Sequence, residues 1–236
     1  MLEYLRNKKI LVVVAHPDDE ILGVGGTINK LVNNLSAEIK VLILGEGITS
    51  RDNDDENQIE NKLTIHQQNI LDAKFFLGYQ SLSTHKLPDN RFDSVPLLDI
   101  IKIVENEKKV FNPEVVFTHH SGDLNIDHRI TFQSVLTAFR PIKNENTKMI
   151  ITFETLSGTE WTNPTDSDNF NPNLFIQLDN FNMQNKLDAM ECYVYEKRNF
   201  PHPRSSKSIK NKAITRGVSV GYEYAEAFQI IRLIID

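Results

Sequence analysis

The stretch VVVAHPDDE, residues 12–20, places a histidine and three acids directly after four small apolar residues. A run such as 10–15 reads as a strand covered on both faces. Acids packed at the tip of such a strand would repel one another and resist desolvation unless positive charge sat among them. Working outward, 9–15 is a strand and 21–33 a helix entered through Asp18, Asp19 and Glu20, whose charges suit the positive end of the helix dipole. The segment EIKVLIL (38–44) is a second strand, and EVVFT (114–118) a third. Helical patterns run over 58–77, 95–109 and 128–138. Alternating strands and helices of this kind predict an α/β fold. The expected form is a Rossmann-like three-layer sandwich, with a mostly parallel sheet covered by helices on both faces.

The rest of the chain reads as continuation, with strands near 148–154 and 174–178 and helices near 183–192 and 206–218. No low-complexity linker or internal repeat interrupts it, so one domain over 1–236 is expected. The 161–173 segment, WTNPTDSDNFNPN, is rich in turn formers and reads as a long surface loop. The glycines of LGVGGT (22–27) fall inside the first helix rather than between strand and helix. A dinucleotide-binding fingerprint is therefore absent, and close helix packing is the better account.

Composition narrows the function classes. The net charge is −6, which gives no reason to expect binding to nucleic acid. The single cysteine, Cys192, allows no intrachain disulfide and fits a reducing compartment. No stretch approaches the ~20 apolar residues of a membrane-spanning helix, and the N-terminus lacks a signal peptide's layout. A cytoplasmic location is expected. With no G-x-S-x-G motif and no catalytic setting for Cys192, a covalent hydrolase is disfavoured.

In open α/β sheets ligands bind beyond the carboxyl ends of the strands. Residues 16–20, 46–51 and 119–128 all arrive there. His16 and Asp19 are three residues apart, close to one helical turn, so both can face one point. An imidazole and a carboxylate converging in this way suit zinc. A catalytic zinc wants a third protein ligand and an open position. His128 in DLNIDHR is the best candidate, with His119 and His120 as rivals delivered by the same strand end. Asp127 beside His128 fits an outer role, fixing a ring tautomer. Two neutral histidines and one aspartate keep the ion acidic, which is a reason to leave Asp18 free as a base.

These residues resemble the PIG-L/LmbE-like de-N-acetylase family. The resemblance rests on AHPDDE after an apolar strand and on a later DH pair opening a helix. LGEGITSR (44–51), LPDNRFDS (87–94), DLNIDHRITF (123–132), LTAFRP (136–141), FPHPRSS (200–206) and YAEAF (224–228) follow in the order of one bacterial branch. It implies a hydrolase that uses Zn2+, or another divalent ion such as Fe2+, to remove acetyl from an N-acetylglucosamine-type sugar or its conjugate, including a nucleotide-linked one. It also implies His16, Asp19 and His128 as metal ligands and Asp18 as general base. One departure stands out. Many relatives carry a histidine three residues before the last ligand, as H-x-x-H, and here that position is Asn125, which donates a hydrogen bond but carries no charge. Asn125 or His202, in NFPHPRS, is the expected oxyanion donor. Arg51 and Arg140 are the expected substrate contacts. The basic run 197–216, with seven cations and no acid, reads as a solvated or oligomer-contacting face, against a sharper reading as a diphosphate site. The alternative function is a noncatalytic sugar or nucleotide-sugar binder that keeps the fold. A homo-oligomer fits either.

Overall fold

The computed structural model describes residues 2–50, 55–163 and 168–235. In chain order the elements are β1 (Lys9–Val14), α1 (Asp19–Leu35), β2 (Glu38–Gly45), α2 (Glu56–Leu77), β3 (Ser81–Leu87), α3 (Leu97–Phe111), β4 (Val115–His119), α4 (Ile126–Ala138), β5 (Met149–Phe153), β6 (Leu174–Leu178), α5 (Asn180–Cys192), α6 (Ser206–Val218) and β7 (Tyr224–Leu233). The seven strands form one sheet in the order β3-β2-β1-β4-β5-β7-β6. Neighbours from β3 to β5 are parallel, and β7 runs antiparallel to both β5 and β6.

The alternation of β1 shows how the layers form. Ile10, Val12 and Val14 point into a core shared with α1, α2, α5 and α6. Leu11, Val13 and Ala15 point into a second core, built with α3 and α4. Every one of these residues is fully buried, as a strand covered on both faces requires. The glycines of α1 are close-packing residues, as expected. A Cβ on Gly23 would come within 2.1 Å of the Phe153 ring, and one on Gly26 within 2.4 Å of Leu178.

Two strands escape the sequence pattern. β3 (SLSTHKL) is an edge strand with every residue half-buried or exposed, so its polar residues mask the pairing. β7 lies in the segment quoted above as YAEAF and changes from buried to half-exposed along its length. Helix bounds differ modestly. α2 starts at Glu56 because Asp55 caps it: the Asp55 carboxylate accepts from the Gln58 amide, and the Gln58 side chain accepts from the Asp55 amide. α4 starts two residues before the expected His128, capped by Asn125.

The chain order runs outward from β1 through β2 to β3, then returns to β4 on the other side of β1. The carboxyl ends of β1 and β4 therefore flank the point where the winding reverses, which is the general place for a ligand in such sheets.

Candidate metal centre and cavity

His16 leaves β1 at that point, and Asp18 and Asp19 open α1. Asp18 sits at the helix N-cap with φ 96°, a left-handed conformation that a side chain adopts at a cost, and its carboxylate does not cap the helix. The turn sends the two adjacent carboxylates apart. Asp19 turns inward: its Oδ2 accepts from the His16 amide at 2.8 Å and lies 3.4 Å from His128 Nε2 and 3.5 Å from His16 Nδ1. Asp18 turns toward Arg204, with Oδ2 3.2 Å from its Nη1.

Both histidines are held from behind. His16 Nε2 is hydrogen-bonded to Asp127 Oδ2 at 2.9 Å, and the other Asp127 oxygen accepts from the Phe92 amide. His128 Nδ1 lies 3.1 Å from Asp123 Oδ1, while Asp123 Oδ2 accepts from the Thr159 hydroxyl at 2.6 Å. Each ring thus faces Asp19 with one nitrogen and a buried carboxylate with the other, the pattern by which proteins orient histidine ligands. His16, Asp19 and His128 can each bring one donor atom within 4.8 Å of the other two, and all three are buried. Asp19 Oδ1 and His128 Nε2 are buried without a hydrogen-bond partner. Two nitrogens and an oxygen so placed fit a zinc-like ion. A second group, His16 with Asp89 and Asp127, meets the same distances. Its carboxylates also make hydrogen bonds to the protein, Asp127 as above and Asp89 to Ser50 and Asn90.

The electrostatics answer the question raised by the sequence. Burial disfavours charge on His16 and His128. The bonds to Asp127 and Asp19 nevertheless raise His16 to about 10, and the charges of Asp19 and Asp123 raise His128 to about 9. The surrounding acids demand positive charge, the same demand that a divalent cation meets. Burial pushes the Asp18 carboxyl well above its ordinary value, with Arg204 opposing and the negative charges of Glu196 and Asp19 assisting. Burial also raises Glu20, to about 7, against the bond from the Tyr193 hydroxyl.

Of the rival histidines, His119 also reaches Asp19, with Nε2 3.4 Å from Oδ2. That nitrogen already accepts from the Ala15 amide at 3.0 Å, and the ring stacks on His128 at 3.9 Å between centroids. Burial and the charge of His128 lower His119 to about 4, so it is a neutral packing partner of the centre. His120 Nε2 is 2.9 Å from the Asp168 carbonyl.

A cavity of about 310 Å³ opens over this centre, lined by His16, Asp18, Asp89, Asn125, Trp161, His202 and Arg204 among others. Asn125 borders it but is engaged as a helix cap. Its Oδ1 accepts from the Asp127 amide at 2.8 Å, and its Nδ2 donates to Asn90 at 3.0 Å. His202 is better placed to donate. Its Nδ1 accepts from the Arg204 amide at 3.1 Å, which leaves the ring proton on Nε2. Burial and the cations Arg204 and Arg198 lower its pKa and keep the ring neutral.

Arg140 is not brought to the site. It follows the far end of α4, is exposed, and lies 3.8 Å from Glu105. An arginine after a helix that returns to the amino edge of the sheet cannot reach the carboxyl edge. Arg51, the other expected substrate contact, lies outside the described residues. The basic run is largely neutralised in place: Lys197 pairs with Glu191, Arg204 with Glu196, and Lys212 and Arg216 with Glu154. That pattern favours the surface reading over a diphosphate site. Missed by sequence reasoning were Asp89, Asp123, Glu196, Arg204 and Trp161. Asp89, Asp123 and Arg204 sit in motif blocks already noted, but nothing in their spacing tells what they touch.

The PIG-L family, described as GlcNAc-PI de-N-acetylase, matches residues 11–139. The chain belongs to the PIG-L family. The match includes His16, Asp18, Asp19, Asp123, Asp127 and His128, and stops before Trp161, His202 and Arg204. No curated protein matches the chain. Among solved structures, the N,N′-diacetylchitobiose deacetylase of Pyrococcus horikoshii superposes with a TM-score of 0.76 at 20% identity, over 98% of this chain and 88% of that one. A teicoplanin deacetylase in a zinc-inhibited form gives 0.70 at 14% identity, over 97% and 100%. A 4-carboxy-2-hydroxymuconate hydratase from Pseudomonas putida gives 0.72 at 18%, over 97% and 98%. At these identities the likeness establishes the shared fold. Among the described residues, no helix is long and apolar enough to cross a membrane.

Proposed function

We propose that this chain, a single domain over residues 1–236, is a metal-dependent N-deacetylase that hydrolyses the acetamide of an N-acetylglucosamine-type sugar or its conjugate. Family membership supports this reading. The observation that carries it is the arrangement around Asp19: of the three histidines beside it, His16 and His128 are each braced by their own carboxylate, with a further carboxylate, Asp18, held just outside. A ligand set alone would need no Asp18. A hydrolase needs a base there.

His16, Asp19 and His128 would hold the ion, with zinc best matched to the donor set and iron(II) the alternative. When bound, it supplies a Lewis acid for the acetamide carbonyl and lowers the pKa of water. Asp18 accepts a proton from the attacking water and returns one to the departing amine. Its geometry suits this, because Arg204 fixes one oxygen and the left-handed turn keeps the carboxylate off the ligand set. The neutral His202 offers Nε2–H to the carbonyl oxygen as it gains negative charge. Asn125 supports the centre at one remove, by capping α4 and so fixing Asp127.

The hydratase among the structural neighbours shows that the fold alone does not set the reaction. The test is release of free amine and acetate from N-acetylglucosamine and its glycosides by metal-loaded protein. Wild type is expected to release both in equal amounts, and Asp18→Ala to keep its metal while losing about 10²-fold or more in rate. Metal-loaded wild type that binds these sugars yet releases no amine would instead establish the noncatalytic binder. Near-normal rates in Asp18→Ala would remove the base assignment.

A further inference from the structure

The cavity is polar on nearly every side, with one large exception. Trp161 lines it and is 51% exposed, a large apolar surface among mostly polar neighbours. It ends a short 3-10 turn, Thr159–Trp161, and its ring meets His202 edge-on at 5.9 Å between centroids. Most of the other lining residues are polar, Asp18, Asp89, Asn90 and Asn125 among them.

The turn carrying Trp161 is tied to both halves of the reaction centre. The Thr159 hydroxyl donates to Asp123, the carboxylate behind His128, and accepts from the Thr155 amide. Ser157 Oγ accepts from Arg204 Nε at 2.8 Å, and Arg204 in turn holds Asp18. Gly158 allows this approach, since a Cβ there would come within 2.6 Å of Asp123 Oδ1. One turn therefore fixes the indole in register with a metal ligand on one side and with the base on the other.

We propose that Trp161 is the platform for the substrate's sugar ring, stacking on the C–H face of a pyranose whose hydroxyls meet the polar wall opposite. This rests on the deacetylase reading and adds to it the side chain that seats the sugar ring. The cavity volume agrees, lying at the small end of the ~300–1,000 Å³ usual for ligand sites. Trp161 touches the ring and not the scissile amide, so its binding energy is shared by ground and transition states. Its loss therefore falls on KM more than on kcat.

Trp161 is the only tryptophan in the chain, so intrinsic fluorescence reports on this position alone. The experiment titrates metal-loaded protein with N-acetylglucosamine in the Asp18→Ala background, which suppresses hydrolysis, following tryptophan emission and calorimetric heat together. Saturable change in emission is expected, with the same Kd as the heat. By calorimetry Trp161→Ala should bind about 3- to 10-fold more weakly, with Trp161→Phe in between, while circular dichroism and metal content stay at wild-type levels. Heat of binding with silent emission and an unchanged Kd in Trp161→Ala would overturn the platform and leave the deacetylase reading standing. No heat from the protein that keeps Trp161, at full metal content, would overturn the platform and the sugar reading together.

Discussion

Arg204 joins two buried carboxylates through one guanidinium. Its Nη1 lies 2.7 Å from Glu196 and 3.2 Å from Asp18, and its Nε donates to Ser157. Asp18 is 1% exposed and Glu196 3%, so the two carboxylates are out of water and share one cation. Replacing Arg204 with Met keeps the stem and removes the charge. Breaking a buried pair costs about 3–5 kcal/mol, because the partner is left charged and desolvated. Arg204 is itself 24% exposed on its side chain, which admits water and favours the lower end, about 3 kcal/mol. For a chain of this size that corresponds to a fall in Tm of about 6–12 °C. Adding Glu196→Gln to Arg204→Met removes one stranded carboxylate and should recover part of the loss. Urea denaturation of the wild type, both single variants and the double variant measures the coupling. Metal content should stay at the wild-type level, because Arg204 bonds to none of His16, Asp19 or His128. If Arg204→Met unfolds within about 1 kcal/mol of wild type, or if Glu196→Gln deepens the loss, the shared-cation reasoning is wrong.

Two further predictions concern the walls of the site. Gly158→Ala would drive a methyl against the carboxylate that orients His128, and metal affinity should fall about 10-fold or more, read by competition with a chelator. Unchanged affinity would show that Asp123 does not set His128. Glu154 accepts from Arg216 and pairs with Lys212; burial raises its pKa, but these partners more than compensate and hold it below the ordinary 4.5. Its contribution is complete above pH 4.5 and fades as pH falls through the lowered value. Glu154→Gln should therefore cost about 2 kcal/mol at pH 7, and the gap to wild type should close in acid. A gap independent of pH would place the effect in packing.

Much of the fold is legible in the sequence because its central strands are buried on both faces. Such strands write themselves as apolar runs, as in 10–15, 38–44 and 114–118. β3 is not legible, since an edge strand with half-wet faces needs no apolar pattern. The buried cluster of His16, Asp19 and His128 is legible for a different reason. His16 and Asp19 are locally coupled by the strand-to-helix turn, and His128 opens a helix at the neighbouring strand end. Asn125 shows the limit. Its position invites comparison with a catalytic histidine, whereas the structure engages it as the cap of α4. Arg204 and Trp161 could not be read because their partners are far away in sequence. Asp18 lies 186 positions before Arg204, and no periodicity records such a contact. Arg140 failed for the converse reason: a motif block is not a location, and the helix carries it to the wrong edge of the sheet.

We assign His16, Asp19 and His128 together as the holders of a divalent ion beside Asp18. Elemental analysis of wild type, Asp18→Ala and His128→Ala, purified side by side without added metal, tests this assignment most directly. About one zinc or iron per chain is expected in wild type and in Asp18→Ala, and little in His128→Ala. Equal metal in all three, with His128→Ala folded, or wild type that holds none and takes up no added zinc, would contradict it.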